Sequence, residues 1–505
     1  MPVSKPTKTI LSKLSSDLRL NISNSDLQIL SEFMGQMAES FERLEAISSP
    51  SLDRPSRGKT GRPPSKEENP YGAWSWLGEI SPTGSGLLDG FDIGIKDAIC
   101  VAGMPTQNGS KLLSEFVPEF DASVVTRILE AGGTIVGKTA CENLSFSGHS
   151  HTSKIPVQNP IAPGFSSGGS SSGNAAAIAC GDIKMAVGCD QGGSVRIPAS
   201  WSGIVGLKPT HGLVPYTGAF AMDATIDHCG PMANSVEGLA RLLTVIAGPD
   251  GLDPRQRDLE FKSVNYLSAL NRKGKPKRIA YVKQGFNRPE SEKDSDEIVR
   301  SALNLIEKSG VEVEELDLPE HHLSFDVWSA IVICGTSELM FKSNGLASFD
   351  EGFTSPELLQ VMSRWRESPK DISVTALPAL LMGSYMTDAY KGVHYSKAQS
   401  LLSTMRAAYN KALGSYDALL MPTIPFTATA MPKDTSSMRS TIELALPMVG
   451  NTAPFNATGH PAISIPCGKV QGRPVGLMLI GKHFCEADLI SNANVFEDLL
   501  EYSNG

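Results

Sequence analysis

Between residues 25 and 47 the apolar side chains Leu27, Leu30, Met34, Met37, Phe41 and Leu44 recur every three or four positions. That is the stripe of an amphipathic helix, and Ser25 with Gln28 fits a capping box at its start. Ile10, Leu11, Leu14 and Leu18 mark a shorter helix before it. Two readings of the stripe stand open: packing onto the main domain, or an exposed face that dimerises. Residues 48–70 lose all periodicity; Pro, Gly, Ser and charge dominate and predict a linker. Strand-like and helix-like segments alternate after it. Helices are expected at Asp121–Ala131, Gly173–Ala179, Val236–Ala247, Glu297–Lys308 and Ala487–Leu500. Strands are expected at Thr134–Gly137, Met185–Cys189, Arg278–Val282, Val311–Leu316, Ala418–Met421, Ala462–Ile465 and Gly476–Ile480. The alternation predicts an α/β layered sheet flanked by helices. Residues 321–415 read as a mostly helical lobe over the site.

Composition narrows the class. The 505 residues are 41% hydrophobic and 20% charged, ordinary for a globular protein. A net charge of −9 argues against a nucleic-acid platform. The eight cysteines have no CxxC spacing and sit mostly in apolar strings, as buried free thiols of a reducing compartment would. No apolar run approaches the roughly 18 residues of a membrane span, and residues 1–20 do not read as a signal peptide. The expected location is the cytoplasm, with neither a membrane nor a nucleic acid as partner.

The chemistry gathers in residues 168–196, GGSSSGNAAAIACGDIKMAVGCDQGGSVR. The first glycine–serine turn runs straight into an alanine-rich helix former, so it reads as a tight turn at a helix N-terminus rather than a linker. No phosphate-cradling G-x-x-x-x-G-K-[ST] or G-x-G-x-x-G is present. The pattern G-x-S-x-G matches around Ser166 and Ser171, but the segment before them is polar and proline-rich, not the strand that a nucleophile elbow needs. The second turn, Asp190-Gln191-Gly192-Gly193-Ser194, follows an apolar strand. Two glycines before a serine let several N–H groups converge into a nest for an oxyanion. A serine nucleophile needs a base. None of the nine histidines has an obvious partner motif. Lys96, after Ile93-Gly94-Ile95, is placed to close a buried strand, and burial disfavours the charged form of a lysine. The plain alternative is a salt bridge with its neighbour Asp97.

These residues resemble the amidase signature family. The likeness runs through Gly94-Ile95-Lys96-Asp97, Gly168-Gly169-Ser170-Ser171, Gly188–Ala199, Gly203–Thr210, Leu420–Thr423 and Gly459–Ala462, and spans about residues 75–505. It implies the amidase-signature fold, a central mixed β-sheet flanked by helices, with an N-terminal α-helical appendage. The implied division is a helical dimerisation region plus linker over 1–70 and a catalytic domain over 71–505. It also implies a Ser–cis-Ser–Lys triad: Ser194 as nucleophile, Ser170 after a cis peptide as bridge, Lys96 as base. The two serines lie 24 positions apart, the family spacing, which selects Ser170 over Ser171 and Ser172. Oxyanion donors would be the amides of Gln191, Gly192, Gly193 and Ser194, with Asp190 and Arg196 bracing the loop.

The implied reaction is hydrolysis of a carboxylic acid amide through a Ser194 acyl-enzyme, with no cofactor and no metal. The N-terminal helices and the run Glu68–Trp74 resemble broad-specificity amidases acting on small aliphatic and aromatic amides, which implies a homodimer. Phe146 and Trp328 are candidate pocket walls, with ordinary core packing as the alternative. Three rivals remain: an esterase or carbamate hydrolase of the same fold, a glutaminase resembling the transfer-RNA amidotransferase component of this family, and a noncatalytic binding protein.

Overall fold

The computed structural model describes residues 5–47, 52, 54–257, 260–272, 274–344, 352–434 and 437–504. The chain forms two compact units, Met1–Ser51 and Leu52–Gly505. The first holds the helices Lys8–Asp17 and Asn24–Glu45. The N-cap of the second is Ser23, whose hydroxyl accepts from the Asp26 amide, rather than the expected Ser25. Phe33, Met37, Phe41 and Leu44 leave an exposed apolar row along that helix.

The expected linker falls partly outside the described residues, at 48–51 and 53. Its remainder belongs to the second unit. Arg57 pairs with Asp121 at 2.7 Å, the Trp76 indole donates to the Thr60 carbonyl, and Arg62 bridges to Leu77. Composition reads such a segment as loose because its anchors, two side-chain contacts and one backbone bridge, are made with residues distant in the chain.

The second unit is built on one eleven-stranded mixed sheet. Its strands are β1 Trp74–Ile80, β2 Asp92–Lys96, β3 Thr134–Thr139, β4 Met185–Asp190, β5 Val205–Lys208, β6 His228–Ala233, β7 Arg278–Val282, β8 Glu312–Leu316, β9 Ala418–Pro422, β10 Ala462–Val470 and β11 Arg473–Ile480. Their order is β1-β3-β2-β4-β6-β5-β10-β11-β9-β7-β8. β4 is buried along its whole length, as expected of an apolar run covered on both faces. β10 and β11 form a hairpin whose turn, Gln471-Gly472, has positive φ at both residues, the geometry that matches strand twist.

The expected helices and strands are present, with ends shifted by a few residues. β1, β5 and β6 carry no pattern that marks them in the sequence. β6 reads HCGPMA, with a proline and no alternation, yet lies fully buried between β4 and β5. Proline in a sequence normally demotes a central strand. The expected lobe is helical at Glu320–Gly335, Leu377–Tyr390 and Val393–Leu413, while residues 345–351 lie outside the described ones. The stretch Glu320–Lys342 is long and apolar enough to cross a membrane by length and composition, which amends the expectation that no segment would be. Its Val327, Trp328, Ile331 and Val332 are packed in the core of the fold, which accounts for its apolarity.

The register places the site. β2 and β4 are parallel neighbours, with Ile93 opposite Met185 and Ile95 opposite Val187. Their C-terminal ends, Lys96 and Asp190, therefore emerge at the same edge of the sheet.

Candidate active site

Lys96 ends β2 behind Ile93 and Ile95 and is fully buried. Its Nζ donates to Ser170 Oγ at 2.7 Å. Ser170 follows a cis peptide bond from Gly169. Asp97 turns away from Lys96 and meets Lys138 Nζ at 3.5 Å and the Gln107 amide at 3.2 Å. The alternative Lys96–Asp97 salt bridge is thereby replaced by an Asp97–Lys138 pair, because successive residues at a strand end point to opposite faces. The other turn serines build the scaffold. Ser166 Oγ accepts from the Ser150 and Gly168 amides, and Ser171 Oγ donates to the Cys189 carbonyl. Neither occupies a nucleophile elbow.

The second turn is joined to the first by the Ser171 amide, which donates to the Ser194 carbonyl at 3.1 Å. Ser194 keeps 8% exposure while Lys96 and Ser170 have none, so of the three only Ser194 is open to the outside. The peptide carbonyls of the turn are held from behind. Trp328 Nε1 donates to the Gln191 carbonyl at 2.7 Å, and Thr452 Oγ1 donates to the Gly192 carbonyl at 2.6 Å. The amides of Gln191, Gly192 and Ser194 carry no protein acceptor among the described residues. Gly193 departs from the expected donor set: its amide donates to Asp190 Oδ1 at 2.7 Å and is unavailable to an oxyanion. Glycine is required at both central positions. A Cβ on Gly192 would lie 2.6 Å from the Trp328 ring, and Gly193 has φ +136°.

Asp190 and Arg196 brace this loop, as expected. Both are fully buried and paired at 3.0 Å, and Arg196 also donates to the Thr452 carbonyl and to Asn456 Oδ1. Burial works to raise the Asp190 pKa, but the Arg196 charge and hydrogen bonds outweigh it and hold the carboxyl at about 2. Among the described residues no histidine hydrogen-bonds to Ser170 or Ser194. His149 is buried, and that burial lowers it to about 3.

In front of Ser194 lies a narrow, mainly apolar pocket. Both predicted walls, Phe146 and Trp328, line it, together with Ile197, Met222, Val332, Leu446 and Val449. No lining side chain is charged.

A family model described as Amidase matches residues 76–490, most of the chain. The chain belongs to the amidase family. It is an amide-hydrolysing enzyme of the amidase signature group. It is 42% identical over 440 residues to an enantioselective amidase of Rhodococcus rhodochrous, covering 86% of this chain and 84% of that protein. It is 33% identical over 464 residues to the glutamyl-tRNA(Gln) amidotransferase A-type component of Exiguobacterium sibiricum, covering 91% and 92%. The crystal structure of the corresponding protein from Thermotoga maritima superposes with a TM-score of 0.67 at 30% identity, over 82% of this chain and 84% of that one. The mixed sheet flanked by helices is the fold of these enzymes.

The amidase site also holds residues that sequence reasoning missed. Thr452 and Asn456 sit on the helix Ala453–Thr458 and its N-terminal flank, and reach the 190–192 backbone. Met222, Leu446 and Val449 come from segments without apolar periodicity. Glu142, a fully buried carboxylate beside the cis-serine turn, had no motif to mark it.

Proposed function

We propose that this amidase hydrolyses small aliphatic and aromatic primary amides to the carboxylic acid and ammonia through a Ser194 acyl-enzyme. The observation that carries the reading is the 2.7 Å contact of buried Lys96 with Ser170 behind the unpaired amides around Ser194. In its amine form, Lys96 accepts the Ser170 proton as Ser170 takes that of Ser194. Ser194 Oγ bonds the amide carbon, and the carbonyl π pair moves to oxygen. The Gln191, Gly192 and Ser194 amides stabilise that oxyanion. The relayed proton returns to the leaving nitrogen, the C–N bond breaks, and water later releases the acid by the same relay.

Phe146, Met222 and Trp328 form the acyl wall in this reading. A pocket with no charged side chain suits an apolar acyl group better than the α-carboxylate and α-ammonium of glutamine. That favours simple amides over the glutaminase alternative, in line with the identity to an enantioselective amidase. An ester or carbamate would meet the same groups.

The exposed row Phe33, Met37, Phe41 and Leu44 supports a homodimer through the N-terminal helical region, within the 1–70 segment that precedes the catalytic domain. Free thiols at all eight cysteines support a reducing, cytoplasmic setting. The test is ammonia release from propionamide, benzamide, a longer-chain amide and glutamine, with wild type beside Ser194→Ala. Activity on the simple amides that disappears in the variant supports the reading. Undiminished activity in the variant overturns Ser194 as nucleophile.

A further inference from the structure

Glu142 is a carboxylate with no access to solvent. Charge is not buried without compensation, and its partners are specific. Oε2 accepts from the Thr152 amide at 2.7 Å and from Thr152 Oγ1 at 2.6 Å. Oε1 accepts from Ser172 Oγ at 3.0 Å, two residues beyond Ser170. Its own amide donates to the Ser170 carbonyl at 3.2 Å. A Cβ on Gly169 would lie 2.9 Å from Glu142 Cγ, so the side chain lies against the cis peptide itself. Each group that meets its carboxyl oxygens can donate a hydrogen bond, an arrangement that suits a carboxylate.

The surrounding charges are few and mostly paired. β2 brings Lys96 and, just after it, Asp97; β3 brings Lys138. Asp97 and Lys138 pair with each other. Asp190 at the end of β4 and Arg196 just beyond it close on one another. Cys141 and Cys189 are buried thiols, and burial lowers His151 beside Thr152 below its ordinary range. Among the described residues the hydrogen-bond partner of Lys96 Nζ is the neutral Ser170 hydroxyl, and Glu142, packed against the same turn, is an anion that Lys96 attracts. Burial pushes Glu142 up to about 7 against the hydrogen bonds from Thr152 and Ser172 and the attraction of Lys96. Above that pH it is the carboxylate.

We infer that Glu142 is a positioning residue of the proton relay: it fixes the Ser170 turn and supplies the counter-charge for the ammonium that Lys96 becomes. The inference rests on the Lys96–Ser170–Ser194 assignment above. In the step concerned, the Ser194 proton passes to Ser170 and the Ser170 proton to Lys96 Nζ. Negative charge appears on the substrate oxyanion and positive charge on Nζ. A fixed anion held against the Ser170 turn favours that separation without reorganising. It also favours the ammonium before substrate binds, so its removal has two opposite signatures. The maximal rate falls, and the acid limb of the pH profile moves to lower pH.

The experiment measures the rate of Ser194 labelling by a fluorophosphonate from pH 5 to 10, beside kcat on benzamide, for wild type, Glu142→Gln and Glu142→Asp. Ser194→Ala serves as control. For Glu142→Gln the acid limb of labelling should move down by about one pH unit and kcat should fall roughly tenfold or more. Glu142→Asp should recover part of both. A rate loss with an unmoved limb means a packing role only and overturns the inference. Labelling that persists in Ser194→Ala instead overturns the nucleophile assignment. If Glu142→Gln does not fold, Thr152→Val, which removes one donor to the carboxylate, should move the limb the same way by less. An unmoved limb there overturns the inference too.

Discussion

Trp328 Nε1 hydrogen-bonds the carbonyl of Gln191 at 2.7 Å across 137 positions of chain. One indole of the helical lobe thus lines the pocket at Ser194 and holds the Gln191–Gly192 peptide by its carbonyl, which in the proposed reading turns the Gly192 amide toward the oxyanion. Trp328→Phe keeps most of the wall and removes the hydrogen bond. Its kcat should drop roughly tenfold, the scale of one indirectly held oxyanion donor, with a smaller change in KM. Steady-state kinetics on benzamide separates the two.

Ser194→Ala, Ser170→Ala and Lys96→Ala should each reduce kcat by about 10⁴-fold or more, and combining them should cost little further, because the three act as one relay. With a lysine amine as the proposed base, wild-type activity should be higher at about pH 8–9 than at about pH 6. Ammonia release measured across that range checks both, and an acidic optimum would count against Lys96 as base.

Asp190 and Arg196 form a buried pair. Asp190→Asn would leave the guanidinium buried without its counter-charge, a loss of about 3–5 kcal/mol, read as a lowered denaturant midpoint. The sign with pH follows from a folded carboxyl at about 2 against an unfolded value of about 3.9. The contribution is complete above the unfolded value and is lost as pH falls through about 2. The wild type–variant gap should therefore narrow in strong acid.

Met222→Ala and Phe146→Ala widen the pocket at two different walls. Each should raise relative kcat/KM for amides with bulkier acyl groups, by roughly 10-fold per wall, the worth of one or two methylene-sized contacts. Glutamine should stay a poor substrate in wild type and in both variants. A substrate panel ranked by kcat/KM decides.

Phe33→Ser with Phe41→Ser removes two exposed apolar groups from the second N-terminal helix. Light scattering after size exclusion should give a dimer for wild type and a monomer for the double variant. A monomeric wild type would refute the dimer.

Lys96, Ser170 and Ser194 are readable from the chain because their neighbours are constrained at short range. A lysine closing an apolar strand and two glycine–serine turns beside one buried strand are local patterns, and parallel pairing of β2 with β4 brings them to one edge of the sheet. Phe146 and Trp328 stand out in the sequence only as aromatics near the right segments. The Gly193 amide is not the oxyanion donor its motif suggests, since a glycine nest in sequence does not reveal which N–H a nearby carboxylate will take. β6 escapes pattern reading because a strand covered on both faces needs no alternation.

The sequence by itself determined the alternation of helices and strands, the two serine turns, the lysine and the family, all of them carried by periodicity and by residues adjacent in the chain. Only the tertiary structure decided which charges pair, which amides stay open and what walls the pocket. Glu142 with Ser172, Thr452 with Gly192, and Trp328 with Gln191 are contacts over 30, 260 and 137 positions. Such partners are chosen by packing in three dimensions, where burial makes each unpaired polar group costly, and no local pattern in the chain records that choice.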